Sequence, residues 1–281
     1  MIVFVGSVFS PYYRRAFARH GCQVRADDHC AINVCLYGPG ARRWTMTERA
    51  SRHLERRRHH YVLGPSSVVW NGSSLVLDLD ERSLPLPRAV RGRVRVHPQG
   101  LCRWQAALDA EGRHRWGPIA PCARIEVDLA SPALRWQGHA YVDSNEGDEP
   151  VERPFLHWDW LRAPLPDGRC AVVYDTQPRQ GPARLLAARF APDGGVERFE
   201  PPPRQALPDT RWWRVRREAC ADAGSARVTS TLEDTPFYAR SLLRAGLGGS
   251  ELTAVHESLD LDRLRNPLVQ RLLPFRMPRR P

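Results

Sequence analysis

The chain has 281 residues, 42% of them hydrophobic and 9% aromatic, which is enough for a sizeable core and unlike a disordered protein. Its formal charge of +11 would by itself suggest nucleic acid or an anionic membrane as partner. All 42 basic side chains are Arg, however, spread along the chain as a GC-rich genome would produce, and the densest run, Arg56-Arg57-Arg58 before His59-His60, has no interleaved aromatics, so nucleic-acid binding is not expected.

In chain order, residues 2–9 and 31–37 are β-branched and aromatic runs that stop at Ser10-Pro11 and Gly38-Pro39-Gly40. The pattern over 47–58 allows a helix. Residues 67–70 and 75–79 flank Asn71-Gly72, a turn pair that predicts a hairpin. Further strands are expected at 91–97, 124–129, 133–142, 170–174, 185–190, 212–217 and 226–232, with a loop at Pro201-Pro202-Pro203 and short helices at 241–247 and 261–273. Many short strands with regular turn signals predict a sandwich or barrel. Ala130-Ser131-Pro132 would divide the chain into two β domains, 1–130 and 131–281.

The run Met1–Gly6 lacks the basic flank of a signal peptide, and no stretch of about 18 apolar residues predicts a transmembrane helix, so a lipid-soluble partner would be met from the membrane surface. Seven Cys (22, 30, 35, 102, 122, 170 and 220) without a CxxC pair predict reduced, mostly buried thiols in a cytoplasmic protein. There is no phosphate-cradling Gly loop, no Gly-x-Ser-x-Gly elbow and no HExxH spacing.

Three stretches could carry chemistry. In an extended strand His139, Tyr141 and Asp143 share a face, as do His114 and Trp116. His157-Trp158-Asp159-Trp160 offers two Trp, a His and an Asp within four residues. Spacing alone leaves ordinary alternatives open for each: a solvated strand-end turn, a satisfied core His beside a core Trp, and a strand packed on the core.

An ordered set of blocks resembles the carotenoid 1,2-hydratase (hydroxyneurosporene synthase) family along nearly the whole chain. It comprises Phe4-Val5-Gly6-Ser7-Val8-Phe9-Ser10-Pro11-Tyr12-Tyr13, Asp28-His29-Cys30-Ala31-Ile32-Asn33-Val34, Leu36-Tyr37-Gly38-Pro39-Gly40, Trp44-Thr45-Met46-Thr47-Glu48-Arg49, Gly64-Pro65-Ser66-Ser67 and Arg91-Gly92-Arg93-Val94-Arg95-Val96-His97-Pro98. His114-x-Trp116 with Pro118-Ile119-Ala120-Pro121, Tyr141-x-Asp143-x-Asn145, Trp158-Asp159-Trp160 and Tyr174-Asp175 continue the order.

The resemblance implies a mainly β fold of two lipocalin-like barrels or half-barrels with a few short helices. It implies addition of water to the C1–C2 double bond of acyclic carotenes such as neurosporene and lycopene, in the spheroidene and spirilloxanthin pathways of phototrophic bacteria. Asp143 would then be the proton donor, with His114, Trp116 and Tyr141 in the active site, His114 steadying Asp143 or the attacking water, and Trp158, Trp160 and Tyr174 lining the substrate. Asp159 and Asp175 are next in line as donors. No metal or nucleotide cofactor is implied, and a cytoplasmic protein peripheral to the inner or photosynthetic membrane is expected. Gly117 and Glu146 stand where the family commonly has Trp, which implies a different pocket wall, and longer members carry an aromatic-rich strand ahead of the Gly-Ser-Val-Phe block. Two other readings remain: an apolar-ligand carrier without turnover, and a terpenoid cyclase on the same fold.

Overall fold

The computed structural model describes residues 1–6 and 9–280 apart from the Cys22 side chain, so Ser7 and Val8 of the first expected strand lie outside the described residues. Strands take 55% and helices 12% of the chain, which makes it mainly β. The strands are β1 (Ile2–Val5), β2 (Cys30–Leu36), β3 (Arg43–Arg49), β4 (Leu54–Arg57), β5 (His60–Leu63), β6 (Ser66–Trp70), β7 (Leu75–Arg82), β8 (Ala89–Pro98), β9 (Ala106–Ala107), β10 (His114–Ser131) and β11 (Ala133–Gly147). They continue as β12 (Phe155–Pro164), β13 (Cys170–Pro178), β14 (Arg184–Phe190), β15 (Val196–Arg198), β16 (Arg204–Leu207), β17 (Arg217–Cys220), β18 (Arg227–Asp234), β19 (Tyr238–Leu247), β20 (Ser250–Asp260) and β21 (Arg279–Arg280). The α-helices are α1 (Pro11–His20), α2 (Leu261–Arg265) and α3 (Pro267–Leu272), and none is long and apolar enough to cross a membrane.

Two compact units result, and neither is continuous in sequence. The first holds Met1–His97, Arg124–Gly138 and Gln270–Pro281; the second holds Pro98–Ala123 and His139–Val269. Residue 130 is therefore not a division between them: Ser131-Pro132 turns β10 into the neighbouring β11, and this end of the hairpin belongs to the first unit. In the first unit β1-β2-β3-β21 form one sheet, with β21 parallel to β3, and β8-β7-β6-β5-β4 run side by side in another. In the second unit seven strands pair in the order β15-β14-β13-β12-β20-β19-β18, beside the ribbon β16-β17. No strand order among the described residues closes on itself, so of the two forms the resemblance implied, barrel or half-barrel, the closed barrel is not the one observed.

The face of the seven-stranded sheet that bears Leu161, Ala163, Val173, Leu243 and Ala254 packs with Leu207, Ala219 and Cys220 of the ribbon in one apolar core. Burial alternates along β12, where Asp159, Leu161 and Ala163 are buried and Trp158, Trp160 and Arg162 only half-buried. Side chains alternate across a strand, so Trp158 and Trp160 lie on the face away from that core.

Several sequence expectations need correction. Residues 47–58 are not a helix but the end of β3, a 3-10 turn and β4. Glu48 and Arg49 are buried there and held by partners distant in sequence: Arg49 pairs with Glu81 at 2.9 Å, and Glu48 meets His29 at 2.8 Å and Arg279. Residues 241–247 have helix-forming composition but belong to β19, because Ser241, Leu243 and Ala245 bury on one face; period-two burial outweighs propensity here. Residues 212–217 are largely a loop, since Arg214 takes a left-handed φ of 51° that interrupts an extended run. The helix expected at 261–273 breaks at Asn266-Pro267, where proline removes a donor and restricts its predecessor. Helix α1 was not anticipated, although Ser10 Oγ caps Tyr12 N and Tyr13 N with Pro11 at the first turn. The β6–β7 hairpin exists, but Trp70 pairs with Leu75, which leaves a four-residue loop capped by Asn71 Oδ1 instead of a two-residue turn. Cys30, Cys35, Cys102, Cys122, Cys170 and Cys220 are free thiols, all but Cys35 buried.

Candidate active site

The candidate residues all fall in the second unit. Strand β10 begins at His114, whose backbone N–H donates to Asp109 Oδ1 at 3.1 Å. Alternation from this start buries His114 and Trp116, while Arg115 between them pairs with Asp148 at 3.1 Å. On β11, Tyr141, Asp143 and Asn145 recur at the two-residue strand period, so they share a face. His139, one step earlier, is exposed. On β12 and β13, Trp160 is register partner to Tyr174 on one side and Glu257 of β20 on the other.

Two sets of aromatic rings surround this point. Trp116 lies 5.3 Å from Tyr174, which is 5.7 Å from Trp158, which is 6.0 Å from Phe155, which is 5.2 Å from His114. Trp104 and Phe190 complete the packing around Trp116 at 5.6 and 6.1 Å. In the second set, Tyr141 and Trp160 approach at 5.6 Å.

Asp143 stands in this setting with one firm hydrogen bond, donated by Trp116 Nε1 to Oδ2 at 2.9 Å. It keeps part of its surface accessible although protein crowds it closely on nearly all sides. No Arg pairs with it among the described residues. The nearby Arg162 guanidinium binds Cys170 Sγ at 3.3 Å and Ala140 O at 3.4 Å, and Arg240 is taken by Glu257 at 2.6 Å. Burial therefore raises the Asp143 pKa to about 6, against the pull of the Trp116 and Tyr141 donors and with a further push from the Glu257 charge. The Tyr141 hydroxyl is pushed well up by burial and by this carboxylate, and its oxygen has no completed hydrogen bond. Trp160 Nε1 is likewise buried without a partner. Such groups cost stability when unpaired and recur at functional sites.

His114 makes no hydrogen bond to Asp143 among the described residues. Its ring packs edge-on against Phe155 and beside Gly147, where an added Cβ would meet Nδ1 at 2.8 Å. Burial lowers its pKa, and Nε2 is unpartnered. It lines the aromatic assembly as a neutral ring. The direct partner of Asp143 is Trp116, with the Tyr141 hydroxyl beside it.

Asp159 and Asp175, the alternative donors, face the opposite side of the sheet. Asp175 is held by Arg204 at 2.5 and 2.9 Å. Burial pushes the Asp159 carboxyl up, but hydrogen bonds and charge from His157 and His256 more than reverse this and hold it below the usual carboxylate range. Ser258 Oγ and His157 Nε2, the latter at 3.0 Å, complete its shell. Asp159, held below that range, is not suited to give up a proton near neutral pH. Gly117 and Glu146 are also off the aromatic face: Gly117 abuts Gln105 and the Trp104 carbonyl, and Glu146 is exposed beside Arg115.

Asn145 joins the site beyond the expected residues: Tyr174 Oη donates to its Oδ1 at 3.0 Å. The strand period beyond Asp143 was the signal. Glu257, Phe155, Phe190 and Trp104 had no local signal, since only strand pairing brings them here.

The family model for carotenoid hydratase CrtC matches residues 1–281. The chain belongs to this family. It is 54% identical over 280 residues to the acyclic carotenoid 1,2-hydratase of Rubrivivax gelatinosus, covering 99% of this chain and 69% of that one. The corresponding protein of Thiocapsa roseopersicina is 51% identical over 99% and 68%, and that of Cereibacter sphaeroides 40% identical over 100% and 98%. Among solved structures, a lipocalin-like AttH protein from Nitrosomonas europaea aligns with a TM-score of 0.59 over 82% of this chain and 79% of its own; at 12% identity the likeness is one of fold.

Proposed function

We propose that this carotenoid hydratase adds water across the terminal C1–C2 double bond of an acyclic carotene, with Asp143 as general acid. The observation that carries the mechanism is a carboxyl hydrogen-bonded by one indole, close to Tyr141 and Tyr174, and paired with no Arg among the described residues. Protonating an isolated alkene needs a neutral acid. At a pKa of about 6 roughly one Asp143 in ten keeps its proton at pH 7, about 150-fold more than at the ordinary value of 3.8.

The proton passes from Asp143 to C2, and the π electrons form the new C2–H bond. A tertiary cation is left at C1. The ring faces of Trp116 and Trp160 stabilise that cation, each well-placed desolvated face by about 2 kcal/mol, while the Tyr141 ring already carries the Arg162 guanidinium at 5.5 Å. Water then attacks C1, and its surplus proton returns to the Asp143 carboxylate, which restores the acid. Tyr141 Oη and Trp160 Nε1, both buried without partners, are the groups available to orient that water. Trp158 and Tyr174 flank the polyene. The carotene resides in lipid, so the protein works as a cytoplasmic, peripheral protein of the inner or photosynthetic membrane.

The test is incubation with lycopene or neurosporene in oxygen-18 water. A labelled 1-hydroxy product is expected. Carotene binding without product would make the protein a carrier, and an unlabelled cyclised product would make it a cyclase.

A further inference from the structure

The loop 208–216 joins β16 to β17 and ends in Trp212 and Trp213, which are 76% and 46% exposed. Trp normally hides its large apolar surface, so two adjacent exposed indoles call for an explanation.

The tip is also braced. The Asp234 carboxylate accepts from Trp212 N at 2.8 Å and from Trp213 N at 3.3 Å. Arg263 of α2 donates to the carbonyls of Trp213 and Arg214. Thr210 closes the loop neck on Val215 through N–H to O at 3.1 Å and through Oγ at 2.9 Å. Arg214 holds a left-handed φ of 51°, which a non-Gly residue keeps only where its surroundings impose it. The two indoles are thus presented by a fixed backbone.

Of the four Arg in residues 209–218, Arg214 pairs with Asp209, Arg216 pairs with Glu218 and Arg217 is buried, while the Asp234 carboxylate is held on the backbone N–H groups of the tip, so Arg211 is the cation the tip can offer. Arg211 lies 5.2 Å over the Trp212 ring and pairs with no carboxylate among the described residues.

We infer that the Trp212–Trp213 loop is a docking tip for an anionic lipid bilayer, seating both indoles at the headgroup level with Arg211 against lipid phosphate. Trp is favoured at membrane–water interfaces because it joins an apolar ring to a polar N–H, and each Arg near an anionic surface adds attraction that salt screens. The inference rests on the hydratase reading, which requires a chain whose described helices are all too short to cross a membrane to reach a substrate dissolved in lipid.

The experiment is co-sedimentation of the full chain with vesicles of phosphatidylcholine containing about one-third phosphatidylglycerol, compared with phosphatidylcholine alone. The expected result is binding to the anionic vesicles that weakens with salt. It should fall about tenfold or more in the Trp212→Ser/Trp213→Ser variant and about fivefold in Arg211→Gln. Trp136→Ser, at another exposed indole, should bind like the parent. Conversion of detergent-dispersed carotene should survive the double Trp change, while conversion of vesicle-embedded carotene falls. Asp143→Asn should bind vesicles normally and convert neither, so a failed docking tip and a failed hydratase give different results. Unchanged vesicle binding by the double variant would overturn the inference. So would equal loss in Trp136→Ser, or no lipid binding by the parent, which would point to a protein partner for the same tip.

Discussion

Replacing Asp143 by Asn should cripple the reaction and, at the same time, stabilise the protein in a pH-dependent way. The variant keeps the shape of the side chain, and its amide oxygen can still accept from Trp116 Nε1 at the 2.9 Å site. In the parent, burial lifts the carboxyl from 3.8 to about 6 in the folded state. A raised carboxyl pKa means that the folded state is not penalised below about pH 4. The penalty grows as pH climbs through 6 and is complete above it, at about 3 kcal/mol for this shift. Asn carries no such penalty. Thermal melts should therefore show little difference near pH 4, and at pH 8 a gain for the variant of about 5 °C in a chain of this size. Loss of a general acid should lower turnover of carotene in oxygen-18 water by about 10²–10⁴. A variant no more stable at pH 8 than at pH 4, relative to the parent, would show that Asp143 is not desolvated. Activity within tenfold of the parent would move the proton donor elsewhere.

Three further outcomes are expected. Activity should fall as pH rises through about 6, and Trp116→Phe, which removes a donor that favours the carboxylate, should move that alkaline limb to higher pH; an unmoved limb would separate Trp116 from the acid. Asp159→Asn should destabilise by about 3–5 kcal/mol in denaturant melts by breaking a buried charged network. Burial lowers the His157 pKa, but the Asp159 hydrogen bond and charge outweigh it, so the net shift is upward and its stabilisation is full below 6.5 and lost at higher pH. The Asn variant should lose that decline, which parallel melts from pH 6 to 9 would reveal. Gly147→Ala should drive a Cβ into the His114 ring, whose Nδ1 would lie at 2.8 Å; lower activity with a shifted His114 ring resonance by NMR is expected, and an unchanged resonance would contradict the packing.

The strand alternation of the sequence carried much of this arrangement. The spacing of Tyr141-x-Asp143 places both on one face of a strand, and the same period extended one step reaches Asn145. It could not say which face of β12 mattered. His157-Trp158-Asp159-Trp160 interleaves two environments, and the rear residues, His157 and Asp159, carry chemistry as conspicuous as the front ones. The front is decided by neighbours far along the chain, Tyr174 and Glu257, that no local window contains. The same blindness explains residues 241–247, where helix-forming composition yields to pairing with β20. Glu48 and Arg49 read as solvated helix residues because their partners, Arg279 and Glu81, are distant.

The alternation along β12 also bears on how such a protein can change over generations. Its odd-numbered residues from 157 to 163 serve the buried rear of the sheet and its even ones the aromatic front, in one unbroken register with β13 and β20. A single inserted or deleted residue there would exchange the two sets, turning Asp159 and His157 toward the aromatic face and Trp160 into the rear core. Diversification of substrate choice along this strand is therefore confined to substitution, one front position at a time, while changes of length are left to the turns at its ends.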